Sequence, residues 1–479
     1  MYDVAIIGGG VIGAAVAYEL SKYSLSVCVI EKENDIAMGT TKANSGIIHA
    51  GYDPEPGTLM ARLNVRGSEL TEQFCAQSSV PYDKCGSVVV AFDTQDLEHI
   101  KKLYARGLEN GVKGLRLISK EELNALEPNI SSSAVGALFA ETGAVVNPWR
   151  FCIALAETAA ANGCEFLLDS EVTAIEKTGD SFTVTAGGRA LEARYVINAA
   201  GIYADKISKM ANADEFEIYP SKGQYYLLDK TQRGLVNTVV FQCPTEKGKG
   251  ILVSPTADGN IIIGPNAESG NDRGDVSTTR EGLSFVSAEA EKSVAGINYR
   301  DNIRSFSGLR ANSSEKDFII RESDNQKGFI NAAGIKSPGL SSALAIGEYV
   351  VELLGGAGLV LGEKSDIKKP EFKKPFAEMD SDERAEACRV DPRYGNVICR
   401  CNTVTEAEIA YALENSCIKP RTVDGVKRRV GSGMGRCQGG FCGPKVHEII
   451  CNYYGVEANE VCLDKNGSYI VIGKVGEQE

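Results

Sequence analysis

Asp3-Val4-Ala5-Ile6-Ile7-Gly8-Gly9-Gly10-Val11-Ile12-Gly13-Ala14-Ala15-Val16-Ala17-Tyr18-Glu19-Leu20 opens the chain, and its reading decides the fold. Residues 4–7 form a short apolar run, as a buried parallel strand requires. Gly8, Gly10 and Gly13 then give G-x-G-x-x-G, and a helical pattern follows to about residue 22. A second strand, residues 26–30, ends on Glu31. Gly8 allows the tight turn, Gly10 lets backbone approach a pyrophosphate, and Gly13 lets helix pack on strand. The helix start turns free N–H groups and its positive end toward phosphates. Glu31 lies where an acid accepts from a ribose hydroxyl, which speaks against a 2′-phosphate. The unit predicts a bound dinucleotide and leaves FAD and NAD open.

Residues 38–51 read Met-Gly-Thr-Thr-Lys-Ala-Asn-Ser-Gly-Ile-Ile-His-Ala-Gly, a loop of small and hydroxyl residues that lets a flat ligand approach backbone. His49 is one of three histidines in the chain. It reads either as a satisfied structural histidine or as an acid/base beside a cofactor. Residues 194–205 contain a buried strand followed by the tight turn Asn198-Ala199-Ala200-Gly201. Residues 329–347 give a strand ending at Gly334, a Pro338-Gly339 turn and a helix to about residue 354.

With 479 residues the chain has room for two to four domains. A net charge of −13 disfavours nucleic acid and acidic membrane surfaces as partners. The first strand begins at residue 3, so no leader is expected, and no apolar run reaches the length of a membrane span. Six of the 14 cysteines lie before residue 250 and eight after residue 387. In such a chain thiols or metal ligands are expected rather than disulfides, which points to a reducing compartment.

The late cysteines are patterned. Val397-Ile398-Cys399-Arg400-Cys401 is followed, after a gap of 35 residues, by Cys437-Gln438-Gly439-Gly440-Phe441-Cys442. Thr405 and Glu408 form a capping box for a helix to about residue 415; further helices are expected at 423–430 and, with Pro444 in its first turn, up to residue 454. Four thiolates gathered by two tight loops can hold a [2Fe–2S] cluster or zinc, with free structural thiols as the third reading. Cys388, Cys417, Cys451 and Cys462 fall outside the pattern and read as packed thiols. Asn466-Gly467 between apolar residues is a hairpin signal.

The first unit, together with Asn44-Ser45-Gly46-Ile47-Ile48-His49-Ala50-Gly51 and Pro56-Gly57-Thr58-Leu59-Met60-Ala61-Arg62-Leu63, resembles the FAD-dependent D-amino-acid-oxidase superfamily. The glycerol-3-phosphate and L-2-hydroxyglutarate dehydrogenase branches are the most similar. Residues 397–455 resemble the bacterioferritin-associated-ferredoxin type of [2Fe–2S] domain. This resemblance implies an α/β fold: a Rossmann-like FAD-binding domain, an inserted antiparallel substrate cap, and a small helical [2Fe–2S] domain. The oxidoreductase region would span 1–361, with FAD segments at 1–80, 144–215 and 325–361 and the cap at 81–143 and 216–324. A linker at 362–385, the cluster domain at 386–455 and a tail at 456–479 would follow.

The resemblance also implies site residues. FAD would lie against Gly8, Gly10, Val11, Ile12 and Gly13; against Glu31 and Lys32; and against Thr40, Thr41, Asn44, Ser45, Gly46 and Ile48. Val172, Ala200 and Gly201, with Gly334, Ser337, Pro338, Gly339, Leu340 and Ser341, would close the site. The cluster would take Cys399, Cys401, Cys437 and Cys442. Ser307-Gly308-Leu309-Arg310-Ala311 resembles the family's Gly-x-Arg segment, so Arg310 is the expected anion clamp. His49 is the expected base or flavin contact, and Lys336 is expected to add positive charge near the ring.

The implied activity is oxidation of a small anionic secondary alcohol. Glycerol 3-phosphate is favoured by the C-terminal module, and a 2-hydroxy acid such as L-2-hydroxyglutarate by the His49 loop. Amine oxidation, or service as an electron-transfer subunit, are the other classes. Acceptor subunits or quinone are the implied partners. The implied location is cytoplasmic, with peripheral attachment at the inner membrane through partner subunits.

Overall fold

The computed structural model describes residues 1–244, 250–370 and 373–473. Strand Tyr2–Ile7 lies inside an eight-stranded sheet, parallel to Val27–Ile30 on one side and to Arg189–Asn198 on the other. Glu165–Leu167 extends the sheet beyond Val27–Ile30. Arg189–Asn198 is long enough to take two partners on its far edge. Its first half pairs antiparallel with Ser181–Ala186, and its last residues pair in parallel with Phe329–Ala333. The apolar run is buried on both faces, as a parallel sheet demands. Val4 and Ile6 pack under helices Val11–Leu20 and Gly339–Gly356, whereas Ala5 and Ile7 pack with Phe182, Val184 and Ile207.

A second, nine-stranded sheet forms the cap. Its spine is the antiparallel pair Ile218–Leu228 and Asn302–Ser313. The cap is not wholly antiparallel: Val239–Gln242 joins Ser87–Ala91 in parallel, where the two separate chain segments meet. Strand Ile319–Glu322, expected in the cap, pairs with Phe329–Ala333 and therefore belongs to the first sheet. Helix Arg280–Ser293 stands inside 216–324, the stretch expected to be antiparallel cap sheet. Thr279 caps it by accepting from Gly282 N–H at 3.1 Å, and Val286 and Ala290 are buried against the cap sheet.

The C-terminal unit is helical: Glu406–Asn415, Val423–Val430 and Gly443–Tyr454 pack around Ile409, Leu413, Val426, Val446 and Ile450. Thr405 and Glu408 form the expected capping box. The expected linker is only partly a linker. Lys364 and Lys368 drape it over Asn162, but Phe376 is buried and stacks on Tyr394 at 5.7 Å, and helix Ser381–Val390 begins inside the stretch. The tail forms one bridge, Cys462↔Tyr469, instead of a strand ladder. Its polar turn is engaged elsewhere: Asp464 binds Lys42 and Arg428, and Asn466 donates to Asp169. Residues 474–479, in the expected tail, lie outside the described residues. No helix among the described residues is long and apolar enough to cross a membrane.

Candidate active site

The three glycine-bearing signals meet between the two sheets, on one cavity of about 1650 Å³. That exceeds the usual small-ligand pocket and suits a dinucleotide with room for a substrate. Gly8, at φ +114°, is wedged against the second signal: an added Cβ would lie 2.4 Å from the Ala199 carbonyl oxygen. At Gly13 an added Cβ would lie 1.9 Å from the Gly8 carbonyl oxygen, so any side chain there would drive helix from strand. Glu31 Oε2 accepts from Gly9 N–H at 2.6 Å, and Oε1 accepts from Glu33 N–H at 2.9 Å. Burial pushes the Glu31 carboxyl up, against the pull of these two N–H bonds. A carboxylate has about four lone-pair positions, so it can still accept a ribose hydroxyl. Thr41 takes one helix-start N–H, from Val11 at 3.0 Å, so that group is not free as the motif suggests.

Most expected cofactor residues reach the cavity wall. Lys32, with its ammonium 4.1 Å from the Tyr203 ring, lines it, as do Val172, Ala200 and the turn Ser337–Leu340. Gly13, Ile48, Gly334 and Ser341 do not. Ile48 is fully buried in the core below, and an added Cβ on Gly334 would meet Ser313. Ser341 Oγ sits under the loop, accepting from His49 N–H at 2.7 Å. These four support the wall from behind.

The expected catalytic side chains lie on the cavity. His49 stacks on Phe241 with ring centroids 5.8 Å apart, and its Nε2 lies 3.2 Å from Ser337 Oγ. Lys336 lines the cavity at the turn before helix Gly339–Gly356. Arg310 points its guanidinium past the Asn266 carbonyl at 3.4 Å, a loose contact that leaves donors facing the cavity. Burial pushes the Tyr225 hydroxyl up, with Arg310 beside it opposing that. Phe241, Tyr225 and Asn266 were not legible as site residues, because strand residues facing a ligand look like strand residues facing a core. Gly223 makes room for Arg310: an added Cβ would lie 2.7 Å from Nη2. The same Cβ would lie 2.7 Å from Pro265 Cβ, so Gly223→Ala is expected to lower stability by about 1–3 kcal/mol through overpacking and to raise KM about tenfold as the guanidinium is displaced, read by thermal unfolding and by substrate titration.

The cysteines form two pairs. Cys401 and Cys437 sulfurs lie 3.7 Å apart, and Cys399 hydrogen-bonds Cys442. Two ligands 2.3 Å from one tetrahedral ion stand about 3.8 Å apart, so each pair suits one iron. The Cys442 hydrogen bond pushes the Cys399 thiol down to about 5, with N–H groups of Gly433, Asn402 and Cys401 assisting. Of the other cysteines, Cys417 is exposed, not packed; Cys462 is buried, and Cys388 and Cys451 are half-buried.

The cluster domain closes one end of the cavity. Met434 and Gln438 from the second cysteine loop line it, and Gln438 Oε1 accepts from the cap's Arg304 at 3.4 Å. Docking rests on a buried ion cluster: Asp35 binds Arg428 at 3.0 Å and Arg429 at 2.8 Å, with the three side chains 2%, 3% and 4% exposed. Glu157 accepts from the backbone N–H groups of Cys417 and Ile418.

Comparison with known proteins agrees with this geometry. The model of the FAD dependent oxidoreductase (DAO) family matches residues 3–353, and that of the BFD-like [2Fe-2S] binding domain matches residues 397–452. The chain is 48% identical to a glycerol 3-phosphate dehydrogenase of Caloramator mitchellensis, over 99% of this chain and 98% of the relative. It is 30% identical to a mitochondrial L-2-hydroxyglutarate dehydrogenase of Nematostella vectensis, over 70% of this chain and 74% of the relative. The solved structure of dithionite-reduced L-alpha-glycerophosphate oxidase from Mycoplasma pneumoniae, with FAD bound, superposes with a TM-score of 0.74. It is 34% identical, covering 78% of this chain and 99% of that one. The chain thus belongs to the FAD dependent oxidoreductase (DAO) family and joins to that enzyme fold a C-terminal BFD-like [2Fe-2S] binding domain.

Proposed function

We propose that this chain is a glycerol 3-phosphate dehydrogenase that sends electrons out through its C-terminal domain. The observation carrying the reading is the shared cavity, whose wall includes the dinucleotide motif, Arg310, and Met434 and Gln438 of the cysteine loop. When bound, FAD accepts a hydride and the [2Fe–2S] centre carries single electrons. Arg310 holds the substrate phosphate, and His49 takes the hydroxyl proton at Nε2, displacing its contact with Ser337. Lys336 adds positive charge at the ring end of the cavity. Among the wall residues, Gly8, Gly10, Glu31 and the Thr40–Gly46 loop hold the dinucleotide, and the four paired cysteines hold the cluster.

The acceptor beyond the chain is a partner protein or quinone, a role that the electron-carrier domain supports. Fourteen free cysteines support a reducing cytoplasmic setting, with partner subunits providing any attachment at the inner membrane. A second reading, L-2-hydroxyglutarate as substrate, draws on the 30% identical relative, and Arg310 would then hold a carboxylate.

An anaerobic visible spectrum with substrates added in turn tests this. Glycerol 3-phosphate is expected to bleach the flavin and then the cluster bands, with no bleaching by L-2-hydroxyglutarate or amino acids. Bleaching only by a 2-hydroxy acid would replace the substrate. His49→Ala is expected to slow substrate-driven bleaching about a hundredfold, toward the low end for general bases, because water reaches this half-exposed site. Photoreduction of the flavin should be unchanged; an unchanged substrate rate would remove His49 from the reaction.

A further inference from the structure

The two cysteine pairs differ in depth. Cys399 and Cys442 are buried, whereas Cys401 is exposed and Cys437 half-buried, so one edge of the site faces outward. Beside that edge stands Phe441, 83% exposed, with its own N–H donated to the Cys437 sulfur. A large solvated ring costs apolar hydration that most folds avoid by burial. Residues 399–402 and 433–445 carry three basic residues and no acidic one, in a chain with 51 basic and 64 acidic residues. Arg436 is engaged by Asp229 and Asp301 of the cap. Arg400 and Lys445 are exposed, and Glu448, one turn past Lys445, is the acid on that helix face. The crevice beside Cys401, about 200 Å³, is lined by the charged side chains of Asp229, Lys230 and Arg436 together with Asn260 and Asn402.

We propose that Phe441, Arg400 and Lys445 form the docking face for an acidic one-electron carrier protein, which takes its electron at the Cys401–Cys437 edge. An exposed aromatic on cysteine loops that carry basic residues and no acid, in a chain of opposite net charge, is the pattern of a transient, electrostatically steered contact. One electron leaves the cluster site and reduces the carrier's redox centre; no bond forms or breaks and no proton moves. The proposal rests on the reading that these cysteines hold a cluster.

Binding tests it on the full, cluster-loaded chain. An acidic plant-type ferredoxin is titrated calorimetrically at low and at physiological ionic strength, with basic cytochrome c and phosphatidylglycerol vesicles as alternative probes. Ferredoxin affinity is expected to fall about tenfold with the added salt, and at least about tenfold in Arg400→Glu/Lys445→Glu. Lys445→Glu alone and Phe441→Ser, both away from the Cys399–Cys401 loop, should each weaken it with the cluster spectrum unchanged. Dithionite-reduced protein should pass electrons to ferredoxin more slowly in the same variants, independently of any substrate. Preference for cytochrome c or for the vesicles, or affinity indifferent to charge reversal, would overturn the docking face and leave the cluster reading standing. A wild-type spectrum without cluster bands would remove both.

Discussion

Asp35→Ala should destabilise the docked chain by about 3–5 kcal/mol, the usual cost of stripping one partner from a buried charge cluster. Two guanidiniums, Arg428 and Arg429, converge on this one carboxylate from the cluster domain. Removing it leaves two adjacent buried cations. Arg428 keeps Asp464, while Arg429 keeps its hydrogen bonds to the Gly425 and Ile418 carbonyls and the charge of nearby Glu157. Thermal unfolding should then split, with the C-terminal unit loosening before the flavin fold. Flavin content should hold, while substrate-driven cluster reduction slows relative to flavin reduction. Replacing all three side chains with apolar residues of similar size should recover most of the stability, because the desolvation cost disappears with the charges. Acid should mimic the mutation. Burial raises the Asp35 carboxyl, but Arg429 and Arg428 more than reverse this and hold it below the usual range. Its stabilisation is therefore present above the unfolded value, near about 3.9, and is lost as pH falls through the folded value. Coincident unfolding of both units in Asp35→Ala would show that the ion cluster does not carry the docking.

This contact shows what the sequence could and could not tell. The strand, glycines and helix of residues 3–20 were legible because each part answers a local demand of geometry. The cysteine loops were legible because ligand spacing is itself local, and the Thr405–Glu408 capping box for the same reason. Asp35 carries no such mark: it follows a strand by a few residues, like many solvated acids, and its partners lie over 390 positions away. Helix Arg280–Ser293 was missed because 216–324 was taken whole as antiparallel sheet, although Val286 and Ala290 keep helical spacing. The Asn466-Gly467 turn was foreseen, but its strands were not formed because Asp464 and Asn466 are held by the flavin-side residues Lys42, Asn34 and Asp169. Phe241 faces His49 only because Val239–Gln242 joins Ser87–Ala91, a pairing across some 150 residues.

Arg310→Ala should lower kcat/KM by about 30- to 4,000-fold, the equivalent of about 2–5 kcal/mol for losing a charge-assisted anion contact. Arg310 stands opposite Ser221 in the longest strand pair of the cap, so its backbone is fixed and truncation should not disturb the fold. Its partners among the described residues are the Asn266 carbonyl at 3.4 Å and the Tyr225 hydroxyl, both neutral, so its removal strands no buried anion within the protein. The loss should fall on KM, with kcat at saturation nearly held, because the phosphate is remote from the reacting carbon and is held equally in ground and transition states. Arg310→Lys separates the two substrate readings. A phosphate accepts a point charge, so lysine should recover most of the loss with glycerol 3-phosphate, to within about tenfold of the parent. A carboxylate bound by two parallel N–H bonds would gain far less from lysine. Anaerobic flavin bleaching against substrate concentration gives both constants. Rescue by lysine to within about tenfold of the parent with the phosphate substrate supports glycerol 3-phosphate; an unchanged KM in Arg310→Ala would move the anion site to another cation on the cavity wall.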